Sequence, residues 1–125
     1  MSPAAAALGP RHHEVKRLRA LLRDRRARSD ESAFVLEGPR AVDEALGRGI
    51  ALDSLYLGQG AELAFADLVG RAQDAGTPTF ELKEGVLEKV GTTRTPQPVL
   101  AIAPTQPRIE LDALEGPLPV VVAVG

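Results

Sequence analysis

The stretch Phe34 to Leu46, FVLEGPRAVDEAL, constrains the fold of this chain more than any other. Phe34 to Glu37 reads as a short buried strand, Gly38 permits a sharp turn, and Pro39 suits the first position of a helix running to Leu46. A strand that stops at glycine and feeds a helix sets unpaired N–H groups at a sheet edge. Ligands of α/β proteins bind at such edges, and the helix dipole there favours an anion. Arg40 falls in the first turn, where the macrodipole disfavours a cation. It is either an exposed arginine without a role or one placed for an anionic partner.

The rest of the chain repeats the strand-to-helix alternation. Val15, Leu18 and Leu22, with Leu21 beside them, predict a first helix from about His13 that Ser29, Asp30 and Glu31 end. After the Phe34–Leu46 unit, Leu52 to Leu57 reads as a strand ending at Gly58-Gln59-Gly60. Phe65, Leu68, Val69 and Ala72 then predict a helix over Ala61 to Ala75, closed by Gly76. Thr79 to Leu82 makes a third strand, Val86, Leu87 and Val90 mark a short helix, and Val99 to Ala103 makes a fourth strand. This order predicts an α/β fold: a three-layer α/β/α sandwich around a small mixed, mostly parallel sheet.

The 125 residues suffice for one compact domain. Residues 1–11, rich in Ala and Pro, read as a disordered tail, 12–105 as the folded domain, and 106–119, with its prolines, as a linker. Val120 to Val124 is an uninterrupted apolar run. It reads as the first strand of a further domain, because a fully buried strand needs neighbours on both sides. No run of 18 apolar residues is present and the start lacks the pattern of a signal peptide, so the expected location is cytoplasmic. The chain has no cysteine, and the adjacent His12 and His13 cannot form an i, i+4 metal pair, so no metal site is expected.

Charge is distributed unevenly. Eight basic residues between Arg11 and Arg28 face only Glu14 and Asp24, a net +6, whereas the remainder carries −8. Lys16, Arg19, Arg23 and Arg26 repeat at i, i+3, i+7 and i+10 as a stripe beside the apolar one. Like charges at this spacing repel, which favours a polyanion partner over a merely solvated face. A one-sided contact with nucleic acid is expected, since the acidic body opposes wrapping. A different reading makes the chain a dimerisation or interaction module, its basic helix meeting the acidic body of another copy. Phe34, Phe65 and Phe80 fall in core-facing patterns, so base stacking on a protein platform is not the expected mode.

A second candidate edge is the loop Thr92 to Pro98, TTRTPQP. Three threonine hydroxyls, the Gln97 amide and the Arg94 cation, held extended by two prolines, are groups that contact phosphates and sugars. A Thr/Pro-rich turn is also commonly only a turn.

Together, the blocks FVLEGPR and TRTPQPVLA, preceded by EVKRLRALLRDRRARSDESA, resemble the N-terminal substrate-binding domain of SpoU (TrmH-like) RNA 2'-O-ribose methyltransferases over about Val15 to Ala103. The resemblance implies a fold similar to kink-turn-binding ribosomal proteins, with RNA held by the turn after the first strand and the loop before the last. Here those are Glu37, Gly38 and Arg40, and Thr92, Thr93, Arg94, Thr95 and Gln97. It further implies structured RNA, ribosomal RNA foremost, as the partner, a homodimeric parent, and a role in RNA maturation or antibiotic resistance. It also implies an S-adenosylmethionine-binding catalytic domain C-terminal to these residues. These 125 residues show no general base, nucleophile or cofactor fingerprint, the glycines at 58 and 60 lacking a third partner, so this segment is expected to bind RNA without catalysis.

Overall fold

The computed structural model describes residues 7–90 and 96–105. Helices α1 (His13–Arg23) and α2 (Arg25–Glu31) lead into strand β1 (Ala33–Glu37) and helix α3 (Pro39–Gly47). Strand β2 (Ser54–Leu57) is followed by helices α4 (Ala61–Ala64) and α5 (Ala66–Asp74). Strand β3 (Thr79–Glu81), helix α6 (Val86–Val90) and strand β4 (Val99–Pro104) complete the described fold.

The sheet order is β1-β4-β2-β3. β4 pairs antiparallel with both β1 and β2, while β2 and β3 pair in parallel. Three of the four strands therefore share one direction, as a mostly parallel sheet requires. The reversed β4 is inserted among them, so only one of the three ladders is parallel. Inward-facing residues alternate strictly, as the two-residue period demands. Leu55, Leu57, Val99, Ala101 and Ala103 meet Val42 and Ala45 of α3 and Leu68, Val69 and Ala72 of α5 on one face. Tyr56, Leu100 and Ile102 meet Val15, Leu18 and Leu21 of α1 and Val86 and Val90 of α6 on the other. This is the expected α/β/α sandwich, with the central strands β4 and β2 carrying both cores.

Four local expectations are corrected. The first helix is two: Asp24, at φ −117° and ψ 114°, ends α1 and caps α2 by accepting from the Arg26 N–H at 2.9 Å. An aspartate that can bond nearby backbone competes with helix continuation. The helix expected over Ala61 to Ala75 is likewise interrupted at Phe65, which leaves helical geometry at φ −122° and ψ 43°. Strand β1 is an edge strand and only Ala33 in it is buried, so Phe34 is 36% exposed rather than core-facing. Finally, part of the expected tail is paired: Leu8 donates to the Glu81 carbonyl and accepts from the Lys83 N–H, at 2.8 and 2.9 Å, extending the β3 edge. The stretches 106–119 and 120–125 lie outside the described residues.

Candidate nucleic-acid interface

The C-terminal end of β1 and the N-terminal end of β4 meet at one rim of the sheet. Glu37 stands opposite Leu100 in the ladder, and the Gly38 N–H donates to the Val99 carbonyl at 2.8 Å. Gly38 sits at φ 107° and ψ 153°, a conformation essentially closed to residues with a Cβ. Its bare face is covered by Gln97: a Cβ there would lie 3.2 Å from Oε1 and 3.3 Å from Cδ. Pro39 then opens α3 at its first position, which leaves Arg40 exposed in the first turn. The turn after the first strand and the loop before the last are thus in direct contact, joined through Gly38 and Gln97.

The turn after β2 completes the rim. The Gly58 N–H donates to the Pro98 carbonyl at 2.9 Å, and a Cβ on Gly58 would run into Leu87 of α6. The Ala61 N–H is spent on the Gly58 carbonyl and that of Leu63 on Gly60. Gly58-Gln59-Gly60 is therefore a close-packing device at the rim rather than a phosphate cradle. A depression of about 410 Å³ beside it is lined by Gln59, Lys83, Glu84, Glu88, Pro96 and Pro98 among others.

The basic residues divide between two settings. Lys16 and Arg19 project from α1 into solvent, and Arg26 does so from α2 beyond the Asp24 break. Arg23 turns to the C-terminal end of α6, donating to the Lys89 and Val90 carbonyls at 3.2 and 3.4 Å. A cation at the carbonyl end of a helix is favourable, and this contact ties the α1 terminus to the segment that continues toward Gln97. The expected single stripe is consequently split: Lys16, Arg19 and Arg23 share α1, and Arg26 belongs to α2. Thr92, Thr93, Arg94 and Thr95 lie outside the described residues. Of the predicted residues, the fold brings together Glu37, Gly38, Arg40 and Gln97; it sets Lys16 and Arg19 apart from them on α1.

Beneath the helices lies a polar contact that sequence reasoning did not find. Tyr56 is fully buried, accepts from the Ser54 hydroxyl at 2.8 Å and donates to Glu14 Oε1 at 2.7 Å. Burial pushes the phenol well above its ordinary range, the Ser54 bond opposes this, and the Glu14 carboxylate adds to it. Arg17 joins α1 to Glu31 at 2.8 Å and to Asp53 at 3.2 Å. These contacts fix α1 to the start of β2, at the opposite end of the strand from the rim.

Among the described residues, no group of three or more His, Cys, Asp or Glu could hold a metal ion, and no helix is long and apolar enough to cross a membrane. A sheet rim built from two apposed segments, with exposed basic side chains on α1 and α2, is the candidate interface of this α/β domain. The family model described as the MRM3-like substrate binding domain matches residues 12–101, and the chain belongs to this family. It is the kind of domain that SpoU/TrmH RNA methyltransferases carry N-terminally.

Solved structures agree. An rRNA methyltransferase from Sinorhizobium meliloti is 22% identical, with a TM-score of 0.68 over 81% of this chain and 37% of that one. A putative RNA methyltransferase of the TrmH family from Porphyromonas gingivalis is 27% identical, with a TM-score of 0.57 over 96% of this chain and 39% of that one. The chain thus spans well under half the length of these methyltransferases. The Giardia lamblia 15.5kD RNA binding protein, 17% identical, shares the fold with a TM-score of 0.52 over 82% of this chain and 83% of that one. No curated protein sequence matches the chain.

Proposed function

We propose that this domain recognises structured RNA, ribosomal RNA foremost, and presents one ribose to an S-adenosylmethionine-dependent 2'-O-methyltransferase domain of the same protein, acting in the cytoplasm as a homodimer. The observation that carries the reading is the apposition of Gly38 and Gln97, which makes one rim of the two segments flagged independently in the sequence.

Each group at that rim has a chemical task. Arg40 supplies a charge-assisted donor fork suited to a phosphate. The Gln97 amide, held against Gly38, offers a donor and an acceptor to a base edge or a ribose hydroxyl. Glu37 is acceptor-only and would repel phosphate, so its partner is an exocyclic amino group. Arg94 and the hydroxyls of Thr92, Thr93 and Thr95 belong to the same loop as Gln97 and extend the set. Lys16, Arg19, Arg23 and Arg26 act on the RNA backbone further out, where charge matters more than geometry. Binding energy gathered here would position the target ribose, and the methyl-donor chemistry would be supplied by the catalytic domain.

Filter binding of the chain to protein-free ribosomal RNA fragments, with Arg40→Ala and Gln97→Ala alongside, tests the reading. A loss of roughly 5- to 20-fold for each variant is expected for the removal of one charge-assisted or bidentate contact. Unchanged affinity in both would overturn it.

A further inference from the structure

A second surface feature stands apart from the rim. Between α2 and the exposed edge strand β1 lies an open groove of about 450 Å³ lined by Arg25, Arg28, Ser29, Ser32, Phe34 and Thr105. Its floor is fixed by the Thr105 N–H, which donates to the Ser32 carbonyl at 2.8 Å. Arg28 is anchored by a 2.8 Å bond to the Leu21 carbonyl. Arg25 is exposed and makes no hydrogen bond or ion pair in the described structure.

The composition of this groove differs from that of its neighbours. The groove between α3 and α5 neutralises itself, since Arg71 pairs with Asp43 and Arg48 with Glu44. The depression at the rim mixes Lys83 with Glu84 and Glu88. Among the described residues, the α2–β1 groove is lined by two cations, three hydroxyls and an aromatic ring, without a carboxylate. Phe34 is 36% exposed although its ladder partner Ala103 is buried. An open aromatic face beside guanidinium groups is the arrangement that takes an unpaired nucleotide: the base stacks on the ring, the phosphate meets the arginines, and hydroxyls reach the ribose.

We infer that the α2–β1 groove is a second RNA subsite, which binds an unpaired nucleotide flanking the structured element, with its base on Phe34 and its phosphate at Arg25. The inference rests on the domain's being an RNA binder, but it uses none of the rim residues. It also corrects the expectation that Phe34 faces the core.

The test is a nuclear magnetic resonance titration of the full 125-residue chain with single-stranded octauridylate. The Phe34 ring protons and the Ser29, Ser32 and Thr105 amides should shift together. Phe34→Leu should weaken binding about 5- to 20-fold, Phe34→Tyr should retain it, and Arg25→Ala should weaken it. Arg48→Ala, on the self-neutralised α3–α5 face, should leave octauridylate binding unchanged. The subsite is overturned if the shifts centre on Gly38 and Gln97, if octauridylate does not bind, or if Phe34→Leu binds like wild type. It is also overturned if Phe34→Leu alters only concentration-dependent self-association, which would make the β1 edge a contact between copies. The two readings fail separately. Structured RNA that stays sensitive to Arg40→Ala while octauridylate ignores Phe34 removes the groove alone; the reverse pattern removes the rim alone.

Discussion

The Gln97 side chain covers the bare face of Gly38, with the amide oxygen 3.2 Å from where a Cβ would stand. This contact couples two segments nearly 60 positions apart in the sequence. It also makes the conformation of the first turn depend on the loop before the last strand.

Gly38→Ala should therefore act on both segments. The substitution places a Cβ at φ 107°, against Gln97, and strain of this kind costs about 1–3 kcal/mol. A urea titration should show the midpoint falling with an unchanged slope. A midpoint equal to wild type would show that the turn relaxes freely.

Tyr56 gives a pH dependence with a defined sign. Its folded-state pKa is raised above the unfolded one, chiefly by burial. The stability it contributes is thus fully present below the unfolded pKa, about 10, and is lost as pH rises through the folded value. Tyr56→Phe also strands the Ser54 and Glu14 partners, at a cost of about 1–2 kcal/mol near neutrality. The stability gap between wild type and Tyr56→Phe should narrow steadily above about pH 10. A gap that stays constant to pH 11.5 would contradict the buried, protonated phenol.

Arg17 serves stability rather than RNA. Its two ion pairs, with Glu31 and Asp53, are partly exposed, so Arg17→Ala should cost only about 0.5–1 kcal/mol, less in high salt. Thermal unfolding at 0.05 and 1 M salt measures both. A variant that loses RNA affinity while keeping its melting temperature would place Arg17 at the interface instead.

Salt dependence reports the number of phosphate contacts. Lys16, Arg19, Arg26 and Arg40 are exposed, and their side chains make no ion pair or hydrogen bond in the described structure. These four contacts contribute about −3 to the log–log slope for RNA binding, at ~0.7 to 0.9 per contact, and a phosphate contact by Arg23 or Arg94 would steepen it further. A slope near zero would remove the electrostatic account.

Much of this was legible in the residues. The Gly38-Pro39 pair marks a helix start because one residue supplies the rare backbone angle and the other the fixed one. The apolar periods of Val15, Leu18 and Leu21 and of Leu68, Val69 and Ala72 locate the two buried helix faces. The insertion of β4 between β1 and β2 was not legible, since runs of four to six apolar residues carry no record of which neighbour they pair with. Phe34 misled for a related reason: alternation assigns a face, but an edge strand can outrun the helix that would cover that face. The Asp24 break hides in a strong helical period, because one capping hydrogen bond overrides it. The Tyr56–Glu14 bond joins positions too distant for any local pattern to register.

Site-specific photo-crosslinking tests the central claim most directly. A photoreactive side chain placed at position 40, 97, 48 or 71 of the chain is irradiated with ribosomal RNA fragments, and the attached RNA is sequenced. Positions 40 and 97, on the shared rim, should crosslink to the same short RNA segment, whereas 48 and 71, on the self-neutralised α3–α5 face, should give little product. Equal crosslinking at all four positions, or unrelated segments at 40 and 97, would contradict a two-loop RNA edge.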